Sequence, residues 1–340
     1  MSDVRTFTLD TNKMFSELET ASEKKCQSLF KFRKLDKTEK VLLSKIKGAL
    51  KLKHNDKVSQ TELTDETYRH SKYADWLREY SEAGFKTTRV ANSHSYECTY
   101  EGVMDFRISH RFGAINSGFY ELFGLDQASI RLGLDYGITD NLGVGIGRSS
   151  YQKTHDGFLK YRFLRQSTGA KNMPITATWV STMAVNTLKV DESLEDYAFE
   201  NRLSYTHQLL IGRKFNEAFT FQLAPSYVHR NLVETSDDPN GIWALGVQGR
   251  TKVSKRTSLN IDYYYGAAEQ LGEGYDNSLT LGVDIETGGH VFQLLLSNSL
   301  AQIEKGFIGE TTGKWLDGDI YMGFNVSRVF TVKKPEEFRD

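Results

Sequence analysis

The chain has 340 residues, a net charge of −1 and 26% charged side chains, a balance that points to no polyanion partner, nucleic acid included. A mean hydropathy of −0.48 and the lack of any apolar run near the ~20 residues a spanning helix needs exclude a bundle of membrane helices. They leave open a membrane barrel, in which every second residue faces a polar lumen.

The first twenty residues carry no basic stretch followed by an apolar one, so no export signal is legible in them. Of the 28 glycines, only Gly48 and Gly84 precede residue 100, which places a change of structural class near Gly84. Residues 1–84 read as a small helical region with helices over 11–32, 36–52 and 59–83. The second opens on a capping-box-like Asp36-Lys37-Thr38-Glu39, and the third stops at Gly84. The lysines of the second (Lys40, Lys45, Lys47, Lys51, Lys53) suit a solvated face, with contact to anionic lipid or a partner as the alternative. Residues 85–101 read as a transition segment of mixed, strand-prone sequence, 102–332 as the barrel and 333–340 as a tail.

From Gly102 onward the pattern changes to period two. Met104, Phe106, Ile108 and Phe112 fall on one side of the first strand, and Asp105, Arg107, Ser109 and Arg111 on the other. The same alternation recurs around Leu132, Val144, Leu159, Trp179, Leu209, Phe221, Leu245, Ile261, Leu281, Leu294 and Phe324. About twelve strands of about ten residues result, longer than the five or six usual in soluble sheets. An even count is expected when a barrel closes with both ends on one side.

Long connections (113–126, 186–201, 232–241, 266–277, 301–318) alternate with tight ones (139–141, 214–218, 254–256, 287–289), the asymmetry of outer-membrane barrels with periplasmic short turns. Pro225 falls inside a predicted strand, where the loss of its N–H predicts a bulge or a local break. The fold class expected is mainly β: an up-and-down antiparallel transmembrane β-barrel of about 12 strands, preceded by a small α-helical region.

Several long motifs carry a resemblance: Asp105-Phe-Arg-Ile-Ser-His-Arg-Phe-Gly113, Phe123-Gly-Leu-Asp-Gln-Ala-Ser-Ile-Arg-Leu-Gly133, Val144-Gly-Ile-Gly-Arg-Ser-Ser150, Asp156-Gly-Phe-Leu-Lys-Tyr161 and Asp284-Ile-Glu-Thr-Gly-Gly-His-Val-Phe-Gln293. With the closing Asp317-Gly-Asp-Ile-Tyr-Met-Gly-Phe-Asn-Val-Ser-Arg-Val-Phe330, this stretch resembles a Bacteroidota family of predicted outer-membrane β-barrels catalogued as a domain of unknown function. The resemblance implies location and fold but no activity.

The inward phase collects Asp105, Arg107, Arg111, Arg131, Asp135, Lys160, Arg162, Arg250, Asp262, Asp284 and Glu286. Charges in a narrow lumen are costly unless paired or hydrated, so a salt-bridged network around water is expected, either propping a closed barrel or lining a path for a small polar solute. Outward Tyr136, Tyr161, Trp179, Tyr205, Tyr227 and Trp243 are expected in the aromatic girdles.

Ser109 and His110 are neighbours on a strand and point to opposite sides, so they make no catalytic pair. His207, His229 and His290 have no motif to join them to a serine. The eight histidines and two cysteines show no ligand spacing. Gly143, Gly145 and Gly147 lie in strand alternation rather than in a phosphate loop.

The chain is therefore expected to be an outer-membrane barrel without cofactor or metal and not an enzyme, serving passive transport or an envelope role, with outer-membrane lipid and an envelope protein as partners. The alternatives are a soluble or periplasmic barrel binding an apolar ligand, and a barrel-embedded lipid enzyme with a Ser/His/Asp or Asn cluster at the rim.

Overall fold

The computed structural model describes residues 78–169, 172–189, 198–233, 235 and 238–333. Twelve antiparallel strands close into one barrel, each paired with its sequence neighbour and the last with the first. They are β1 (Val103–Ala114), β2 (Ala128–Thr139), β3 (Leu142–Ser149), β4 (His155–Leu164), β5 (Thr176–Val185) and β6 (Leu203–Lys214). The second half comprises β7 (Phe219–Arg230), β8 (Gly241–Lys252), β9 (Thr257–Gly266), β10 (Leu279–Thr287), β11 (His290–Ser297) and β12 (Tyr321–Thr331).

The period-two phase sets which side of each strand faces out. Leu132, Ile146, Leu159, Leu245, Ile261 and Leu294 are exposed, while Asp105, Arg131, Lys160, Gln248, Asp262 and Gln293 between them are buried. An exposed aliphatic belt around a polar interior is the inverse of a soluble barrel.

The predicted helices over 11–32 and 36–52 lie outside the described residues, as do most of the third and residues 334–340. Where the third is described it is not helical. Arg78–Tyr80 is a short strand on Ser167–Gly169, in the connection between β4 and β5. The guanidinium of Arg165, 4.5 Å from the Tyr80 ring centroid, caps the pair. A neighbouring strand edge supplies the hydrogen bonds that a last helical turn would have made within itself.

Pro225 produces no bulge. Strand β7 runs straight through it, with Leu245 of β8 opposite in unbroken register. On the β6 side pairing passes from Gln208↔Ser226 to Ile211↔Leu223 without a register shift. The missing donor is absorbed as a local gap in one ladder, the milder of the two predicted outcomes.

Candidate functional site

Eight strands make a barrel that wall side chains alone can fill; twelve make one too wide for that. Here the chain itself occupies the space. Residues 84–99, immediately before β1, fold back into the lumen from the short-turn end as a small hairpin, with Val90 N donating to Ser93 O and Ser95 N to Thr88 O. Its side chains are buried almost throughout, with Ser93, His94 and Ser95 fully enclosed. The segment read as a transition is thus the plug of the barrel.

The wall holds the plug mainly by its backbone. Arg250 Nη1 and Thr220 Oγ1 donate to Gly84 O at 2.6 and 3.1 Å. Lys160 Nζ donates to Thr88 O (3.2 Å), Gln293 Nε2 to Val90 O (2.8 Å) and Asn325 Nδ2 to Ala91 O (2.9 Å). Gln222 takes Tyr96 N and gives to His94 O, and Thr178 Oγ1 gives to Tyr96 O. At the tip, Asp262 accepts from Asn92 N, Ser93 N and Ser93 Oγ at 3.1, 2.9 and 2.9 Å. Room for the plug's rings comes from inward glycine: a Cβ at Gly212 would collide with the ring of Tyr96.

A second insert enters from the long-loop end. In the connection from β11 to β12, Ile303, Phe307 and Ile308 are buried, and α1 (Glu304–Gly309) packs Phe307 against Tyr264, with ring centroids 5.4 Å apart and the rings tilted by 57°. Glu304 pairs with Arg89 of the plug, and its Oε1 lies 3.3 Å from His94 Nε2. The two inserts therefore meet inside the barrel. Between them and the wall remains a void of about 10 Å³, bounded by Arg89, Asn92, Arg107, Arg131 and Gln302, room for about one water.

Of the eleven inward charges read from the sequence, ten are buried in the lumen; Glu286 sits half-exposed at the short-turn rim, paired with Lys86. They do not form one wall-to-wall network. Arg107 bonds Asp105 at 3.1 Å, but Arg111 reaches Asn92 and Asn325, Asp135 accepts from Thr88, and Asp284 accepts from Gln293 and Ser258. Arg162 lies 3.7 Å from Glu97. Most of the charge is spent on the plug rather than on hydrated pairs across the wall.

The sequence reading missed Asp156, which takes two bonds from Arg131, Glu304, and the amides Gln222, Gln248, Gln293 and Asn325. A usable signal was present: uncharged amides on the inward phase of facing strands are suited to bonding a backbone.

The six outward aromatics divide by height. Tyr136, Tyr161 and Trp179 lie toward the short-turn ends of their strands, with Tyr161 opposite Trp179. Tyr205, Tyr227 and Trp243 lie toward the long-loop ends, and the Tyr227 and Trp243 rings are 4.7 Å apart.

Ser109 is buried inward and His110 stacks outward on Phe324, on opposite sides as read. One histidine does find a serine: His207 Nδ1 lies 3.0 Å from Ser181 Oγ on the outer face, and Trp179 Nε1 donates to the same oxygen at 2.8 Å. No carboxylate or amide hydrogen-bonds His207 among the described residues, which leaves a pair rather than a triad. No group of three or more metal-type ligands occurs among the described residues. Cys98, at the plug's foot, is a free thiol whose pKa burial pushes up; Cys26 lies outside the described residues.

The family described as a membrane bound beta barrel domain (DUF5777) matches residues 85–330; the match begins at the plug, not at β1. No curated protein matches the chain. Similar solved structures include the KdgM porin (8% identity, 67% of this chain and 99% of that one, TM-score 0.41). Others are an outer membrane channel from Pseudomonas putida F1 (16%, 69% and 98%, 0.40) and the outer membrane phospholipase A from Escherichia coli (12%, 73% and 94%, 0.38). A membrane-bound closed sheet of an even number of antiparallel strands is the outer-membrane form of barrel. That location sets aside the soluble alternative.

Proposed function

Because the chain belongs to the family of membrane bound beta barrel domains (DUF5777), we propose that it is a self-plugged outer-membrane conduit, shut by residues 84–99 and passing small polar solutes when that hairpin is displaced. The short turns face the periplasm, and the two groups of outward aromatics mark the interfaces of the bilayer. One observation supports the conduit over a permanently sealed wall: the plug–wall contact is polar and incompletely satisfied. Buried Arg107 Nε and Nη1 and Arg111 Nε have no hydrogen-bond partner among the described residues. A core built only to seal satisfies such groups or replaces them with apolar ones.

A closed envelope scaffold is the second reading. It draws on the spread of the plug's ties, which involve β1, β2, β4, β5 and β7 to β12.

Single-channel recording in planar bilayers separates the two. The unaltered chain is expected to be mostly closed. Asp262→Asn keeps the shape but replaces one of the two oxygens that hold the hairpin tip with a donor. Each bond to a charged group is worth about 1.5–3 kcal/mol, so open events should rise about tenfold or more. Gly212→Leu, which expels Tyr96, should act in the same direction from a different strand. If both variants insert as folded barrels and stay silent, the scaffold reading replaces the conduit. A large steady current from the unaltered chain would defeat the plug itself.

A further inference from the structure

Above the second insert, at the long-loop mouth, lies a cavity of about 360 Å³, within the size range of small-molecule sites. Among the described residues, three cations line it, Arg202, Arg230 and Lys305, against one carboxylate, Glu310, with the amides of Gln152 and Asn186 beside them. We infer that this mouth is a binding site for a small polar solute that carries a carboxylate.

The central group is Arg230, at the end of β7 and 4% exposed. Its Nη2 donates to Pro239 O at 2.9 Å, but its Nε has no hydrogen-bond partner among the described residues. Glu310 Oε1 is 3.7 Å from Nη1, beyond a hydrogen bond. That same oxygen is 3.3 Å from Lys305 Nζ, which also reaches Gln152 Oε1 at 3.1 Å. One carboxylate oxygen thus faces two cations and fully satisfies neither, while Glu310 Oε2 has no hydrogen-bond partner among the described residues.

A buried guanidinium with an open N–H is costly, and a carboxylate is the planar acceptor that matches its fork. Amides at the margin suit hydroxyl groups, which fixes the chemical class as a hydroxylated acid rather than a fatty one. The site has a route inward as well. Lys305 lies within α1 and Glu310 just beyond it, and the first residue of that helix, Glu304, pairs with Arg89 of the plug.

The inference is independent of conduction, because binding is read without current. Calorimetric titration of the full chain in detergent micelles would use D-glucuronate, with D-glucose as the neutral probe of the same shape. Glucuronate is expected to bind saturably and to weaken as salt is added, and glucose not to bind. Lys305→Gln should weaken glucuronate about tenfold, the loss of one charge-assisted bond. Arg230→Lys, which keeps the charge and removes the fork, should weaken it comparably in a barrel that still runs as folded on unheated gels. Equal binding of glucose, no saturable glucuronate binding, or indifference to both substitutions would each overturn the site.

Discussion

Asp156→Ala is expected to cost about 3–5 kcal/mol of barrel stability, the range for stripping one partner from a buried ion pair. Asp156 on β4 holds Arg131 of β2 across the lumen face of β3: Arg131 Nε is 2.9 Å from its Oδ1, and Nη2 bonds Oδ2. The seat between them is Gly147, where a Cβ would collide with the guanidinium. Without Asp156 the charge stays in place with nothing opposite. Urea unfolding of the chain refolded into lipid vesicles measures the loss. Removing both charges, Arg131→Leu with Asp156→Leu, should cost clearly less than the sum of the single changes. A single-variant loss below about 1 kcal/mol would mean the pair is not buried as described. Arg131→Lys is no mild counterpart, since an ammonium cannot reproduce the two-pronged contact.

Leu132→Arg, one position along the same strand, reports on the opposite face. Leu132 is 45% exposed in the middle of the aliphatic belt, so the substitution puts a charge into hydrocarbon and should cost about 2–4 kcal/mol near the midplane. Leu316→Arg is the matched control: Leu316 is fully exposed in the connection between β11 and β12, at the long-loop end. It should shift stability by no more than about 0.5 kcal/mol. Unfolding in vesicles gives both figures, and equal small losses would remove the lipid from the outer face.

The wall was legible because a strand's two faces alternate strictly, so a single run such as residues 104–112 fixes its own phase without knowledge of its neighbours. Twelve repeats then fixed the closure. The plug was not legible, because residues 85–101 have no period of their own. Their backbone partners, Gln222, Asp262, Gln293 and Asn325, are scattered over the rest of the chain.

The alternation places ten of the eleven charges in the interior but says nothing of what they bond there. Charge repulsion and pairing are visible in a sequence, whereas Lys160 bonding Thr88 O depends on a carbonyl that every residue has. That Gly212 and Gly147 have to be small follows only from the Tyr96 ring against the first and the Arg131 guanidinium against the second.

The hairpin comes before every wall strand in the chain, and the final seam joins β12 to β1. Its ties reach forward across 126 positions to Gln222, 170 to Asp262 and 234 to Asn325. Partners so distant in sequence are the slow ones to find. A core taken up before the seam closes is reached from the side, whereas a closed cylinder leaves only the axial path along which the hairpin would be displaced. The last two strands would lock both the seam and the core in one event, so a change at Asn325 should slow insertion into the membrane more than it weakens the finished barrel.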